Sequence, residues 1–235
     1  MFPNFEYAQV LPGHNNNKGQ SYGLAELSHF TVILESIMLF DYSKGLNRKE
    51  KRKLKAWFNA FQEWLLQSRQ WHIISKVNDN NITSSSYLAL VEMSLFVGNK
   101  RVANKLARDY KEKIIDAQID DEGKQPAELR RTVGFGYSVG NLEEIIRFCL
   151  VMENLGVPLY KENQDKIDKA IDYLYQFVDN HDAFPYQQTV SWSWYEDRLR
   201  KIITRLPRLS SNQTQTKIMA EKIEWKEGSI LDVVY

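Results

Sequence analysis

Residues 47–68 read NRKEKRKLKAWFNAFQEWLLQS, and their apolar positions recur at steps of three and four residues. This spacing lines up one apolar stripe along a helix. Asn47 and Glu50 have the spacing of a capping box, in which each side chain accepts a hydrogen bond from the other residue's backbone N–H. The stretch therefore predicts a helix that begins just after Asn47 and buries one face.

The helical period recurs along most of the chain, whereas strand-like alternation is confined to 189–194. Further helices are predicted within 23–40, 87–97, 102–115, 141–150, 164–178 and 194–203. Asn141 and Glu144 repeat the capping-box spacing, and no fixed-length repeat is present. The pattern predicts an all-α fold of antiparallel helix pairs, which suits an incomplete (α/α) toroid. We expect 1–235 to form a single domain, with 209–217 as a surface linker before a terminal helix.

The composition excludes several classes of protein. Lys and Arg together number 31 against 30 for Asp and Glu, so no net field attracts nucleic acid or a membrane surface, and we expect neither partner. Cys149 is the only cysteine, and the four histidines lack metal-ligand spacing. We therefore expect no metal and no cofactor. No apolar run reaches the ~18 residues of a membrane span, and the first residues lack the features of a signal peptide.

Two polar junctions interrupt the helical pattern, VNDNNITSSSY at 77–87 and DEGKQPAELRRTVGFGYS at 121–138. An arginine can neutralise a carboxylate through two directed hydrogen bonds, and positive charge near a phenol stabilises its anion. Arg130 and Arg131 with Tyr137 therefore suit the removal of a proton beside a carboxylate.

The asparagine pair in the first junction, Asn80 and Asn81, supplies amide donors for the same carboxylate or its enolate. Each of these residue types also has an ordinary structural interpretation. Arginines at a helix end, a packed tyrosine and an Asn-Asn cap are common in helical proteins. The residues alone thus indicate a helical protein with a polar cleft, and both interpretations stay open.

The sequence around the second junction resembles that of a known family. The segment IDAQIDDEGKQPAELRRTVGFGYSVGNLEEI resembles the alginate lyase superfamily, in which QPxELxRT and YSxxNL recur. PNFEYAQVLPGHNNNKGQ and ENLGVPLY also resemble their counterparts, and the likeness covers about 4–205. The resemblance implies an α/α toroid that cleaves uronate-containing polysaccharide by β-elimination. It also implies a periplasmic or secreted location.

The resemblance further implies the roles of individual residues. The implied catalytic residues are Tyr137, Arg131 and Asn81, and the implied substrate-binding residues are Asn80, Gln125, Glu128 and Arg130. Tyr137 matches the family tyrosine that acts as acid and, for some substrates, as base. Gln125 and Glu128 match the QPxE turn that shapes the loop.

The sequence departs from the family at two residues. Ile82 stands where the family has its catalytic histidine, and Gly136 replaces the histidine beside the tyrosine. The family's N-terminal helices and lid loop have no counterpart in the sequence, which predicts an exposed apolar surface and self-association. Two functions stay open. One is a lyase in which Tyr137 is both base and acid; the other is an impaired homologue that binds acidic glycan, or a fragment of a larger lyase.

Overall fold

A computed structural model describes residues 5–77 and 79–206. Within these residues the regular elements are helices, and the only β pairing is an isolated bridge between Val133 and Gln188. The described residues form two compact units, 5–77 with 82–110, and 79–81 with 111–206. The predicted linker and terminal helix lie outside the described residues. The assignment of the whole chain to a single domain stays a prediction.

The first unit is built around helices that the sequence pattern predicts. It contains 3₁₀ segments at Phe5–Tyr7, Asn15–Asn17 and Ser21–Leu27, then α1 (Ser28–Tyr42), α2 (Arg48–Gln67), α3 (Arg69–Val77), α4 (Asn81–Val97, whose first residue belongs to the second unit) and α5 (Lys100–Tyr110). The buried Phe61 of α2 lies at the centre of an aromatic cluster. Its ring centroid is 5.1 Å from that of Phe30, 6.1 Å from Phe5 and 6.0 Å from Trp64. Helix α3 packs against α2 and the Ser21–Leu27 segment.

The predicted start of α2 is confirmed in detail. The Asn47 side chain accepts hydrogen bonds from the backbone N–H groups of Lys49 and Glu50, both at 3.0 Å. The Glu50 carboxylate accepts the Asn47 N–H at 2.9 Å. These bonds satisfy N–H groups that the first helical turn leaves without partners.

The segment Ser21–Tyr42 bears on the expectation that the chain has no membrane span, which stays a prediction. The segment has 22 residues, and an 18-residue window within it has a mean hydropathy of 1.4, so it is long and apolar enough for a membrane span. One such helix near the N-terminus is weak evidence, because a core helix and a signal sequence meet the same criterion. Helix α1 buries Leu34 but exposes Val32, Ile33 and Phe40. An exposed apolar surface was predicted from the sequence, and α1 presents apolar side chains to solvent. Self-association through such a surface stays a prediction.

The second unit is arranged around one long buried helix. It contains a π-helical segment at Lys111–Asp116, then α6 (Pro126–Leu129), α7 (Gly134–Glu153), α8 (Leu159–Glu162), α9 (Gln164–Tyr175), a 3₁₀ turn at His181–Ala183 and α10 (Ser193–Arg205). Helices α6, α8, α9 and α10 all contact α7. Because it is surrounded, α7 is buried on nearly every side, and its apolar residues do not form a single stripe.

The predicted start of this helix at Asn141 is wrong, since α7 begins at Gly134. Asn141 is fully buried, and its amide donates to the side-chain oxygens of Gln118 and Gln125, both at 2.8 Å. Those long-range bonds replace the expected capping role. Helix α4 likewise begins at Asn81, earlier than the apolar pattern predicts.

We predict that Asn47→Ala lowers the free energy of unfolding by about 1 kcal/mol, because two N–H groups of α2 lose their acceptor. Asn59→Ala is the matched control on the same helix. Among the described residues the Asn59 side chain bonds to Glu63 alone, on the surface, and alanine favours a helix interior. Urea denaturation of both variants checks the prediction, and equal midpoints for the two variants would contradict it.

Candidate active site

The site is organised by the carboxylate of Glu128, whose side chain is only 1% exposed. Its Oε1 atom accepts the backbone N–H of Asn81 at 2.6 Å. Its Oε2 atom accepts a hydrogen bond from Nη1 of Arg131 at 2.8 Å. One buried acid therefore connects the two polar junctions of the sequence within the second unit.

Arg131 joins the three residues that the sequence assigns to catalysis. Nη1 of Arg131 also donates to Oδ1 of Asn81 at 3.0 Å, and its Cζ lies 3.2 Å from the centroid of the Tyr137 ring. A guanidinium stacked on an aromatic face is held by cation–π attraction. The Arg131 side chain is 33% exposed, and in the described part of the chain Nε and Nη2 have no hydrogen-bond partner. The guanidinium is thus fixed through one nitrogen and available through the others.

Local sequence explains this geometry. Pro126 begins the one-turn helix α6, as proline does at a first helical position. Arg131 lies two residues past the end of α6, and its backbone N–H donates to the Glu128 carbonyl oxygen at 3.0 Å, which turns the chain back toward Glu128. Tyr137 lies in the first turn of α7, directly after the connection. Sequence proximity therefore brings acid, arginine and tyrosine together, and Asn81 joins them through its own hydrogen bonds.

A second polar network, buried beneath the loop, holds its backbone. Nε2 of Gln125 donates to the carbonyl oxygen of Ser138 at 3.0 Å, and Nε2 of Gln118 donates to the carbonyl oxygen of Asn80 at 3.1 Å. Asn141 donates to both glutamines. The network therefore ties the backbone of Asn80 and the Gln125 side chain to α7 within the second unit.

The predicted substrate-binding residues differ in their accessibility. Gln125 and Glu128 are buried and bond to protein groups, while Asn80 is partly exposed. The Arg130 side chain is 71% exposed, with Nη2 3.5 Å from a carboxylate oxygen of Asp79. All seven predicted residues thus lie in one connected region, and their roles toward a substrate stay predictions.

Sequence reasoning missed the segment that covers the start of α7. The N–H groups of Gly134 and Gly136 donate to the carbonyl oxygen of Gln187 at 2.8 Å and to the Gln188 side chain at 3.2 Å. About 50 residues separate these partners along the chain, so no local pattern could have indicated the pairing. Gln188 fixes the helical turn that carries Tyr137.

In the described residues no group of three or more His, Cys, Asp or Glu side chains is arranged to hold a metal ion. The absence of a metal and of a cofactor stays a prediction. The site offers two groups that can donate hydrogen bonds to an anion. They are the guanidinium of Arg131 and the side-chain amide of Asn81.

Burial raises the pKa of the Glu128 carboxyl above its ordinary value, and Asp79 adds to the rise. The Asn81 N–H and the Arg131 guanidinium oppose this shift without cancelling it. The folded protein therefore holds the Glu128 proton more tightly than the unfolded chain does. By linkage, this group makes the free energy of unfolding fall as pH rises through the interval between the two pKa values.

Glu128→Gln cannot ionise, so we predict that wild type loses stability relative to this variant as pH rises from about 4 to 7. Urea denaturation across that range measures the difference. Glu122→Gln is the control, because Lys124 lowers the pKa of the exposed Glu122 carboxyl and the relative change has the opposite sign. A difference between wild type and Glu128→Gln that is independent of pH would overturn the prediction.

Comparison with known proteins gives this geometry a context. The structure is similar to the crystal structure of an alginate lyase from Bacteroides ovatus, with a TM-score of 0.85 and 28% sequence identity. The match covers 94% of this chain but 59% of that chain, and it confirms the predicted all-α toroid fold class. No curated protein matches the chain. A family model described as alginate lyase matches residues 1–184, and the chain belongs to the alginate lyase family.

Proposed function

We propose that this protein is a polysaccharide lyase, a carbon–oxygen lyase that cleaves alginate or a similar uronate-containing polysaccharide by β-elimination. The observation that carries the proposal is the shared guanidinium of Arg131, which stacks on Tyr137 and bonds to Asn81. Membership of the alginate lyase family and similarity to a solved alginate lyase support it. The chain spans 59% of the length of that relative, so the activity and the substrate are proposals for this chain.

The first task of the site is to neutralise the carboxylate of a uronate residue. Nε and Nη2 of Arg131 are the donors for this carboxylate, because Nη1 already donates to Glu128 and Asn81. The Asn81 amide nitrogen is a further donor, since its oxygen already accepts from Arg131. Donors fixed before the reaction stabilise the enolate that forms when the sugar loses its C5 proton.

The second task is proton transfer, and Tyr137 performs both halves of it. Its phenolate oxygen takes the C5 proton, the C5–H electron pair forms the C4=C5 double bond, and the bond from C4 to the glycosidic oxygen breaks. The phenol then gives its proton to the departing oxygen. Arg131 stacked on the ring supplies positive charge where the phenolate forms. One group acting twice requires the C5 proton and the leaving oxygen on the same face of the sugar.

Glu128, Gln125 and the residues beneath them have a holding role in this proposal. Glu128 fixes Asn81 through its backbone N–H and Arg131 through its side chain. Gln125 ties the α6 loop to α7 through the carbonyl oxygen of Ser138. Asn80 and the exposed Arg130 are proposed as contacts to flanking parts of the polysaccharide.

We predict that Tyr137→Phe abolishes cleavage and that Arg131→Ala lowers the rate by ~10²–10⁴, the usual cost of losing an acid–base or charge-stabilising group. The assay incubates purified protein with several uronate polymers and follows the ultraviolet absorbance of the unsaturated ends. Tyr175→Phe is the control, since Tyr175 of α9 lies outside the site. A Tyr137→Phe variant that cuts at the wild-type rate would refute the mechanism.

Ile82 follows Asn81 in the chain and cannot carry a proton, so the single-tyrosine route leaves polymers of the opposite C5 configuration uncut. We predict that Ile82→His raises the rate or extends cleavage to such polymers. The comparison of two purified polymers that differ in C5 configuration measures this. An Ile82→His variant with wild-type rate and selectivity would contradict it.

The presence of Ile82 also favours a second candidate, a protein that binds acidic glycan without cutting it. This function replaces the first if wild type binds a uronate polymer in calorimetry but releases no unsaturated ends. For either function we propose a periplasmic or extracellular location. This follows from family membership, because such polymers lie outside the cytoplasm. Self-association through the exposed face of α1 is proposed with it, and sedimentation tests that contact.

A further inference from the structure

The backbone of Gly136 is covered by the ring of Tyr195, from the first turn of α10. A Cβ atom built on Gly136 would lie 2.5 Å from Cζ of Tyr195 and 2.7 and 2.8 Å from its two Cε atoms. These three atoms are the hydroxyl end of the phenol. Gly136 immediately precedes Tyr137, and adjacent Cα atoms are about 3.8 Å apart. A second phenol therefore packs against the residue that precedes the proposed catalytic tyrosine.

The Tyr195 hydroxyl is available to a ligand. The side chain is partly exposed, and among the described residues its hydroxyl makes no hydrogen bond. Tyr160, in contrast, is fully buried and its hydroxyl bonds to Asp168. A phenol hydroxyl that the fold fixes in place and leaves unpaired, next to a polar site, suits recognition of a sugar oxygen.

Trp194 extends the surface from Tyr195. Its side chain is 58% exposed, and its ring centroid lies 4.7 Å from that of Tyr195 at an interplanar angle of 75°. The guanidinium of Arg198 lies 4.7 Å from the indole centroid and is itself bound to Glu143 on α7, with Nε 2.9 Å from the carboxylate. The indole is thus held by its neighbours while more than half of it faces solvent. An exposed aromatic ring held in this way offers apolar surface for a ligand to cover.

We propose that Tyr195 and Trp194 form a sugar subsite beside Tyr137, which binds the uronate residue adjoining the one that is cleaved. The proposal rests on the proposed function, because its occupant is the continuation of the same polysaccharide chain. The Tyr195 hydroxyl donates to an oxygen of this sugar, and the Trp194 indole packs on its C–H face. Contact between Tyr195 and Gly136 makes the subsite continuous with the residues that hold the cleaved unit.

Two glycines of α7 provide a matched pair for the test. Gly136→Ala puts a methyl group where the Tyr195 ring lies, so the ring must move. Gly140→Ala, one turn further along the same face, meets only the guanidinium of Arg198 at 3.7 and 3.8 Å, which is ordinary contact. Both positions lie within α7, where alanine is a better helix former than glycine. Tyr195→Phe keeps the ring and removes only the hydroxyl, and Trp194→Ala removes the indole.

Binding is measured by calorimetry with a uronate tetrasaccharide in a Tyr137→Phe background, where no turnover occurs. Tyr195→Phe, Trp194→Ala and Gly136→Ala are each expected to raise Kd about fivefold to tenfold, as loss of one hydrogen bond or aromatic contact does, while Gly140→Ala leaves it unchanged. In the otherwise wild-type protein, the same variants raise KM more than they lower kcat. Circular dichroism confirms that each variant is folded.

The outcomes separate the two proposals. If the Kd values for Tyr195→Phe and Trp194→Ala equal that of the parent, the subsite is refuted, whether or not the wild type cuts the polymer. If the wild type cuts no polymer but these variants weaken binding, the lyase proposal fails and the subsite stands. A parent protein that binds no uronate tetrasaccharide refutes the subsite, and the cleavage assay on wild type then decides the lyase proposal by itself.

Discussion

The buried carboxylate of Glu128 is the constraint on which the site depends. A charged acid that is 1% exposed is costly unless several groups compensate it, and here an N–H at the start of α4 and an arginine do so. Removing any one of the three groups leaves the others with unsatisfied buried polarity. The junctions that carry Asn81 and Arg131 are therefore fixed by electrostatics in a protein whose remaining stability comes from apolar helix packing.

The arginine at this position has a role that lysine could not fill. Arg131 bonds through one nitrogen to both Glu128 and Asn81, and it lies flat on the Tyr137 ring. Only a planar, delocalised cation with several separate N–H groups can make these contacts and keep donors for an anionic ligand. The pairing with Glu128 also offsets the positive charge of Arg131 in the free protein, so the proposed uronate ligand would be held by directed hydrogen bonds more than by an excess of positive charge.

Local patterns predicted the fold well where local partners decide the structure. Asn47 caps α2 through residues two and three positions away, so the sequence was sufficient. Asn141 has the same spacing to an acid, but its amide bonds to Gln118 and Gln125, more than fifteen residues earlier in the chain. Propensity cannot anticipate a partner that only the folded chain brings close, and the start of α7 was misplaced for that reason.

The candidate site likewise has features that the sequence could predict and features that it could not. Five of the seven predicted residues are close in sequence, within 125–137, and the bonds of Gln118 and Glu128 bring Asn80 and Asn81 to them. Their burial was not predictable, since Gln125 and Glu128 carry the same side chains whether they hold a loop or a sugar. Gln188 and Tyr195 were missed because roughly 50 to 60 residues separate them from Gly136, and spacing rules do not reach so far.

The contact between Tyr195 and Gly136 also makes these two positions interdependent in evolution and in engineering. Any side chain introduced at position 136, a histidine included, would enter space that the phenol ring fills. Such a change becomes acceptable only after the residue at position 195 has become small, so the order of the two substitutions matters. Chains descending from a common ancestor should therefore show either a bulky residue at 195 with glycine at 136, or a side chain at 136 with a small residue at 195. A library that varies position 136 alone would sample almost entirely displaced sites, whereas one that varies both positions together would reach sites with a different shape and chemistry.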